Sequence, residues 1–273
     1  MRIINRIADY FALIPASWNW PEVEVQHFPA RKGGGTSCDL SINIITTTDP
    51  NGRNILKLLD TADRIAGQSR IDYHVTIMED LKFWPVQEKP DLYRKHLNIH
   101  LIRYKGILTQ QKALVLGSLL SPKHEAEVVI DPDMHRSLRH IEPAMSRLEK
   151  GNRIIHFSRP DRKEGGILRQ VASYVYTKLF CFFGRLTIKD ANTPMVMYQG
   201  KQLSEATARP AGRINPRIYA YITNRSAIHS IQLPETGEPH KSHYKVVPLV
   251  RIFIGQIMSA FIIRLFILTN LDK

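Results

Sequence analysis

Cysteine is scarce in this sequence, and several features that would define a protein class are missing. The 273 residues include two cysteines, Cys38 and Cys181, whose wide separation argues against a disulfide framework. No internal repeat is present, which argues against a solenoid or a propeller. The N-terminal segment carries charges at Arg2, Arg6 and Asp9, so we expect no secretory signal and a cytoplasmic setting.

The motifs of several large enzyme classes are also missing. The chain has no Gly-x-Gly-x-x-Gly after its first predicted strand, no Walker A sequence, no Gly-x-Ser-x-Gly elbow and no Cys-x-x-Cys pair. These absences argue against dinucleotide-binding, ATP-binding, serine hydrolase and zinc ribbon proteins.

Acidic residues are outnumbered, since 38 Lys and Arg against 25 Asp and Glu leave a formal net charge of +13. The expected partners are therefore anions: nucleic acid, phosphorylated small molecules or an anionic membrane surface.

Candidate strands and helices alternate from Leu40 to about Met197, a pattern typical of an α/β fold with a mostly parallel sheet flanked by helices. We predict an N-terminal extension (1–37), an α/β domain (38–200), a mixed region (201–246) and a C-terminal apolar helix (247–273). The predicted strands are Leu40–Thr46, Tyr73–Met78, Leu97–Ile102, Ala126–Ile130, Arg153–Phe157, Arg217–Ile222 and Ala227–Leu233. Helices are predicted around Ile55, Leu58, Leu59 and Ala62, and over Gln110–Leu120, Leu138–Leu148 and Ile167–Phe183.

Acidic residues follow two of the predicted strands. Glu79 and Asp80 follow the second strand, and Asp131-Pro132-Asp133 follows the fourth. Ligands of open α/β sheets bind beyond the carboxyl ends of the strands, so we expect these carboxylates to meet there. Two carboxylates two residues apart on extended backbone can bind Mg²⁺ or Mn²⁺, which would neutralise a diphosphate leaving group. The alternative is a pair of solvated loop carboxylates.

Two further segments carry candidate residues. The loop Ser158–Gly166 contains Arg159, Arg162 and Lys163 with two glycines, which suits a segment that closes over phosphates. The alternative is a solvated charged face. Asp190 follows a helix and a short apolar run, where it can act as a general base, orient an acceptor or cap a helix.

The C-terminal stretch Leu249–Leu268 is long enough to span a bilayer, at about 30 Å as a helix. Arg251 and Arg264 interrupt it, and each is costly at the membrane centre. These charges favour a helix that lies in the membrane plane over a clean span. A buried core helix is the alternative.

The order of these segments resembles the inverting glycosyltransferases of family two, in particular the dolichyl-phosphate or polyprenyl-phosphate sugar synthases. The similarity is strongest from Glu127 to Lys201, where VVIDPDMHRSLRHIEPAM, NRIIHFSRPDRKEGG, ILRQVASYVYTKLFCFFGRL and TIKDANTPMVMY follow the family's order. Weaker similarity in SINIITTTDPNGRNILKLLD, VTIMED and HKSHYKVVPLVRIFIG extends it over about residues 40 to 268.

Two motifs of that family are altered in this chain. The Pro-x-Tyr-Asn-Glu after the first strand is replaced by a stretch from Thr46 to Asn51, so Asp49 is only a candidate nucleotide contact. The Gly-Phe-Arg after the acceptor-side Asp reads Pro194, Met195, Val196, which removes an arginine. The motifs of the processive polysaccharide synthases are absent, so a single sugar addition is the better fit.

The resemblance implies a GT-A-like fold in which residues 38–200 bind a nucleotide sugar and 201–246 lie on the acceptor side. It implies roles for six residues: Asp80 contacts the nucleoside, Asp131 lies near the nucleotide and metal, Asp133 binds the metal, Arg159 and Arg162 meet phosphates, and Asp190 is the acceptor-side carboxylate. Asp49 is a candidate nucleotide contact, and Lys163 is a candidate substrate contact from the cationic loop. Asp133 and Asp190 are the expected catalytic residues, and Mg²⁺ or Mn²⁺ is the expected cofactor.

The expected function is transfer of one sugar from a UDP- or GDP-linked donor to a membrane-linked acceptor such as polyprenyl phosphate. The setting would be the cytoplasmic side of a membrane, with the chain peripheral or anchored by its C-terminal helix. One alternative is a transferase that acts on a hydroxyl of a surface polysaccharide or lipid-linked glycan. The others are a degenerate transferase without activity and a basic nucleic-acid-binding protein. We expect no nucleic acid partner, because the chain shows no recognised nucleic-acid module.

Overall fold

The structure is a computed structural model that describes residues 22–30, 40–48, 53–81, 92–105, 109–159, 166–234 and 246–269. These residues contain eight strands and seven α-helices. The strands are β1 (Glu22–Phe28), β2 (Ser41–Thr47), β3 (Asp72–Asp80), β4 (Asn98–Lys105), β5 (Ala126–Ile130), β6 (Ile154–Ser158), β7 (Met195–Gln199) and β8 (Ile228–Gln232). The α-helices are α1 (Arg53–Ala66), α2 (Gln110–Leu120), α3 (Ile141–Glu149), α4 (Gly166–Gly184), α5 (Gln202–Glu205), α6 (Pro216–Thr223) and α7 (Val246–Leu268). Short 3₁₀ helices span Pro132–His140, Ala206–Ala208 and Arg225–Ala227.

The strands form one sheet in the order β1-β4-β3-β2-β5-β7-β6-β8. Strands β4, β3, β2 and β5 run parallel, whereas β1 is antiparallel to β4 and β7 is antiparallel to β5. The α/β class with a mostly parallel sheet, flanking helices and a C-terminal apolar helix is confirmed.

The described residues fall into two compact units. The first unit contains residues 22–155 and 194–204, and the second contains residues 156–193 and 205–269. The first therefore holds β1 to β5, β7 and α1 to α3, while the second holds β8, α4, α6 and α7. The boundaries predicted from sequence at 37/38, 200/201 and 246/247 stay predictions.

The core of the first unit forms around β2, whose Ile42, Ile44 and Ile45 are fully buried. A central parallel strand is covered on both faces, which explains why the consecutive residues Ile44 and Ile45 are both buried although they lie on opposite faces of the sheet. The apolar spacing predicted one buried face on α1, and this is confirmed for Ile55, Leu58, Leu59 and Ala62.

The register of the parallel strands brings their carboxyl ends to one edge of the sheet. Thr47 at the end of β2 lies opposite Met78 of β3, and Ile45 lies opposite Val129 of β5. Strands β3 and β5 are each paired to β2, so their ends are about 10 Å apart. Residues that follow β3 and β5 therefore belong to one edge of the first unit.

Strand β1 lies within the segment that sequence reasoning treats as an extension. It pairs with β4 over its whole length, from Glu22 opposite Lys105 to Phe28 opposite Ile99. The alternating EVEVQHF pattern is the signal that could have identified this strand.

A buried ionic cluster joins α2 to β5 in the first unit. The Glu127 carboxylate is fully buried, accepts a 2.5 Å hydrogen bond from the Ser118 hydroxyl and lies 3.4 Å from the Lys201 ammonium. Lys201 also donates to the carbonyl oxygens of Ser118 and Ser121 at the end of α2. Burial raises the pKa of Glu127 to about 7, although these partners favour the ionised form.

The prediction of a strand at Arg217–Ile222 is wrong, because these residues form α6. The side-chain oxygen of Asn215 accepts a 3.1 Å hydrogen bond from the Ile218 amide, and Pro216 occupies the first turn. An Asn cap followed by proline is a helix start signal, which outweighs the β-branched and aromatic composition of the segment.

Helices α4 and α7 pack side by side in the second unit. The Tyr176 ring stacks on Phe253 with centroids 4.1 Å apart, and the Phe183 ring meets Phe261 edge-on at 5.7 Å. Contacts advance along both helices together, so the two helices run in the same direction. Within the described residues, Val250–Leu268 is the one segment long and apolar enough to cross a membrane, a test that a buried core helix also passes.

Candidate functional site

Asp131 directly follows β5 at the carboxyl edge of the first unit. Its amide donates a 3.0 Å hydrogen bond to the Pro194 carbonyl, which continues the β5–β7 pairing by one residue. The Gln110 side-chain amide donates a 2.6 Å hydrogen bond to Asp131 Oδ1. Gln110 begins α2, which Thr109 caps by accepting a hydrogen bond from the Lys112 amide. The first turn of α2 therefore orients the Asp131 carboxylate, a contact that sequence reasoning missed because the two residues are 21 positions apart.

Asp133 lies in the first turn of the 3₁₀ helix Pro132–His140. The prediction that Asp131 and Asp133 both lie on extended backbone is wrong, since only Asp131 is extended, with φ −74° and ψ 136°. Pro132 starts the helix, and the Met134 amide donates a 2.9 Å hydrogen bond to the Asp131 carbonyl, which closes a tight turn. One oxygen of Asp133, Oδ1, is shielded from solvent.

The donor set at this edge fits a hard divalent cation that also binds phosphate. Within the described ranges no group of three or more His, Cys, Asp or Glu side chains forms a complete metal cage. Mg²⁺ is commonly held by one or two carboxylates together with substrate phosphates, so Asp131 and Asp133 would be the protein ligands of such a site. These two residues would hold Mg²⁺ or Mn²⁺, and the cation would offset the charge of a departing diphosphate.

The acidic pair at the end of β3 divides into two roles. Glu79 is buried and forms a 2.5 Å ion pair with Arg103, its register partner on β4, so it is a structural residue. Asp80 is the last residue of β3 and lies opposite Tyr104. Burial, and to a smaller extent the Asp80 charge, raises the pKa of Tyr104 to about 12. Asp80 is therefore the acidic residue that β3 supplies to the edge where β5 ends.

In the second unit the structure brings together Arg159 and Asp190. Arg159 donates from Nε and Nη2 to the two oxygens of Asp190, at 2.7 and 3.2 Å, and from Nη2 to the Asn192 carbonyl at 2.5 Å. Both side chains are largely buried, at 22% and 13% exposure. This forked pair holds the turn after Asp190, and both carboxylate oxygens accept from the guanidinium.

Arg217 of α6 adds a second guanidinium to the same turn. Its Nη2 donates a 2.9 Å hydrogen bond to the Thr193 carbonyl, and the Thr193 hydroxyl donates to the Phe157 carbonyl. His156 is fully buried and hydrogen-bonds the Tyr221 hydroxyl at 2.8 Å; its burial lowers the pKa of His156 to about 4. Arg217 is thus a second cation of this turn. Sequence reasoning missed it because α6 was read as a strand, and the Asn215-Pro216 start was the available signal.

The predicted residues thus separate by unit. Asp80, Asp131 and Asp133 belong to the carboxyl edge of the first unit, and Arg159 and Asp190 form an ion pair in the second. Asp49, Arg162 and Lys163 lie outside the described residues, and their roles stay predictions.

The fold is of the GT-A type, as the likeness to solved structures shows. Three of the solved structures that share it show the extent of the likeness. Glucosyl-3-phosphoglycerate synthase from Mycobacterium tuberculosis matches with a TM-score of 0.56 and 12% identity in its UDP complex, over 82% of this chain and 80% of that chain. Its complex with Mn²⁺, UDP-glucose and phosphoglyceric acid matches with a TM-score of 0.55 and 11% identity, over 82% of this chain and 80% of that chain. Mannosyl-3-phosphoglycerate synthase from Rubrobacter xylanophilus matches with a TM-score of 0.52 and 8% identity, over 81% of this chain and 73% of that chain. At these identities the likeness establishes the fold. The chain matches no protein family profile and no curated protein.

Proposed function

We propose that this chain transfers one sugar from a nucleoside diphosphate sugar to a membrane-linked acceptor such as polyprenyl phosphate, in an inverting and metal-dependent reaction. The reaction would take place at the cytoplasmic face of a membrane. The single observation that carries the donor half is the carboxylate set at the carboxyl edge of β3 and β5. The fold and the predicted motif order support the same class of reaction.

The donor half of the proposal assigns the first unit to the nucleotide sugar. Asp131 and Asp133 would hold the cation on the diphosphate, and Asp80 would contact the nucleoside. Gln110 keeps the Asp131 carboxylate oriented before any ligand arrives. The structural neighbours support this assignment, since one of them binds Mn²⁺ and UDP-glucose.

The acceptor half of the proposal assigns the second unit to an anionic acceptor. A lipid phosphate is already ionised and nucleophilic, so it needs positioning rather than a base. Arg159 and Arg217 supply two guanidinium groups at one turn, whereas Asp190 accepts from Arg159 with both oxygens. A hydroxyl acceptor would require Asp190 to release Arg159 and take a proton. The ion pair therefore favours the phosphate acceptor.

A second candidate acceptor is a small phosphorylated hydroxy acid. It is favoured by the neighbours, of which one is crystallised with phosphoglyceric acid. The cationic turn after Asp190 would bind the carboxylate or phosphate of this acceptor, whereas the acceptor hydroxyl would need Asp190 as the base.

The test is a transfer assay with the full chain, Mn²⁺, and labelled UDP-glucose or GDP-mannose. The acceptors are polyprenyl phosphate in vesicles, 3-phosphoglycerate, and none. We expect label in the lipid fraction with one donor, a loss of about a hundredfold or more in Asp133→Ala, and little change in the surface control Asp60→Ala. Label in phosphoglycerate alone would select the second candidate. No transfer from a broader donor panel, together with no nucleotide binding, would overturn the proposal.

Asp190→Asn separates the acceptor classes. Transfer to a phosphate acceptor should fall less than about tenfold, because the amide keeps one hydrogen bond to Arg159. Transfer to a hydroxyl acceptor should fall by about a hundredfold or more, since a general base is lost.

A further inference from the structure

Helix α4 carries a stripe of exposed apolar side chains that the catalytic proposal does not use. At about 100° per residue its five members lie within roughly 140° of the helix surface. They are Val171, Tyr174, Val175, Leu179 and Phe182, with exposures between 41% and 73%. Such a large exposed apolar stripe marks an interaction surface.

Helix α7 carries a second stripe of the same kind. Five exposed apolar residues lie within about 60° of its surface by the same geometry. They are Val250, Ile254, Phe261, Leu265 and Leu268. Phe261 of this stripe contacts Phe183, the neighbour of Phe182, so the stripes adjoin where α4 ends.

From Phe253 onward the other face of α7 is occupied by the protein, whereas Ile252 before it is exposed. Phe253 stacks on Tyr176, Gln256 accepts a hydrogen bond from the Tyr176 hydroxyl, and Ala260 and Ile263 are fully buried. Arg264 donates a 3.2 Å hydrogen bond to the Phe183 carbonyl at the end of α4. A helix held in this way presents one face to its surroundings, whereas an isolated bilayer span is surrounded by lipid.

The charges on these two helices are of one sign. Neither α4 nor α7 contains Asp or Glu, and their cations are Arg169, Lys178, Arg251 and Arg264. Lys178 lies within the α4 stripe, exposed, with its ammonium 5.4 Å from the centre of the Tyr174 ring. Apolar and aromatic side chains interspersed with cations are the composition of helices that lie in the headgroup region of an anionic bilayer.

We propose that the α4 and α7 stripes form one docking surface that lies in the plane of an anionic lipid bilayer. The α4 stripe would enter the interface with Tyr174 and Phe182, while Lys178 reaches the phosphate headgroups. This inference rests on the proposed function, because a membrane-linked acceptor gives docking its role: docking would bring the second unit to lipid phosphates. Its test is independent of catalysis.

The test is co-sedimentation of the full chain with vesicles of phosphatidylcholine alone or with 30% phosphatidylglycerol. Tyr174→Ser/Leu179→Ser removes two stripe residues, and Tyr93→Ser/Leu120→Ser is the matched control, because Leu120 and Leu179 are both 41% exposed. We expect the unaltered chain and the control to sediment with the anionic vesicles and the stripe variant to bind about tenfold or more weakly. Lys178→Gln should weaken binding to anionic vesicles about fivefold, and Lys123→Gln should not.

Three outcomes would overturn the docking surface. The unaltered chain could stay in the supernatant with both vesicle types, or the stripe and control variants could bind equally. A dimer in light scattering that the stripe substitutions dissociate would make the surface an interface between two copies. Nucleotide binding by the stripe variant is measured in parallel. If the stripe variant loses vesicle binding but still binds nucleotide, the docking surface and the nucleotide site are separate and the proposed function is unaffected. If the unaltered chain binds vesicles but no nucleotide, the docking surface is supported and the proposed function is not.

Discussion

At the scale of single residues, neighbouring side chains orient two of the predicted carboxylates before any ligand binds. Gln110 donates to Asp131 in the first unit, and Arg159 donates to both oxygens of Asp190 in the second. A side chain that is oriented beforehand needs less reorganisation when a ligand binds. Substitutions of the residues that contact these carboxylates therefore test the proposed site as directly as substitutions of the carboxylates.

The contact from Gln110 predicts a loss of metal-dependent nucleotide binding. Gln110→Ala should weaken the affinity for nucleotide in the presence of Mn²⁺ by about tenfold, because the carboxylate loses its orienting partner. Gln68→Ala removes an exposed glutamine elsewhere and is the control. Calorimetric titration gives both affinities, and equal values for the two variants would contradict a positioning role for Gln110.

The Arg159–Asp190 pair predicts a stability loss that an exposed pair does not share. Arg159→Ala should lower the free energy of unfolding by about 2 kcal/mol, because it removes charge-assisted hydrogen bonds from a largely buried carboxylate. Asp60→Asn breaks a pair with Arg94 in which Asp60 is 70% exposed, and should cost less than about 1 kcal/mol. Urea denaturation measures both, and equal losses would show that Asp190 does not depend on Arg159.

At the scale of elements, periodic apolar spacing predicted most helices and strands, and local start signals decided the rest. Gln110–Leu120 and Ala126–Ile130 were predicted to the residue, since both are largely buried segments with clear ends. Arg217–Ile222 was misread because its β-branched and aromatic composition matches a strand, whereas the deciding cap lies just upstream at Asn215. The partner of Asp131 at Gln110 depends on packing between distant elements, which spacing along the sequence does not contain.

The link between α2 and β5 depends on a buried ion pair. Lys201→Met should lower the free energy of unfolding by about 3 kcal/mol, because Glu127 stays fully buried without its cation. The loss should be larger at pH 8 than at pH 5, since burial already raises the pKa of Glu127 to about 7 and protonation removes the isolated charge. Lys57→Met on the exposed face of α1 is the control. A loss that is the same at both pH values would contradict an ionised Glu127 in the folded chain.

At the scale of the whole molecule, buried histidines couple the fold to pH. His100 and His124 in the first unit and His156 in the second are neutral at pH 7, because burial is the main cause that lowers each pKa to about 4. His74 lies between His100 and His124, with ring centroids 5.7 and 4.4 Å away. Protonation of His100 or His124 would therefore place a positive charge within a close cluster of three imidazole rings.

These histidines predict acid sensitivity. In the unfolded chain their pKa is near the ordinary value of about 6.5, so between pH 6.5 and 4 the unfolded state binds protons that the folded state does not. Stability should be complete above pH 6.5 and fall as the pH drops toward 4, against a smaller opposite effect of Glu127. The urea midpoint measured from pH 8 to pH 4 tests this, and His124→Gln should flatten the decline. A midpoint that rises toward pH 4 would contradict it.

We propose that the acidic edge of the first unit binds a nucleoside diphosphate through a divalent cation. It is tested most directly by calorimetric titration of the full chain with UDP and with GDP, with and without Mn²⁺, repeated on Asp133→Ala. We expect that one nucleotide binds, that binding requires Mn²⁺, and that it disappears in Asp133→Ala but persists in Asp60→Ala. Binding of neither nucleotide in the presence of Mn²⁺, or equal binding by Asp133→Ala, would contradict the assignment of this edge to a nucleotide sugar.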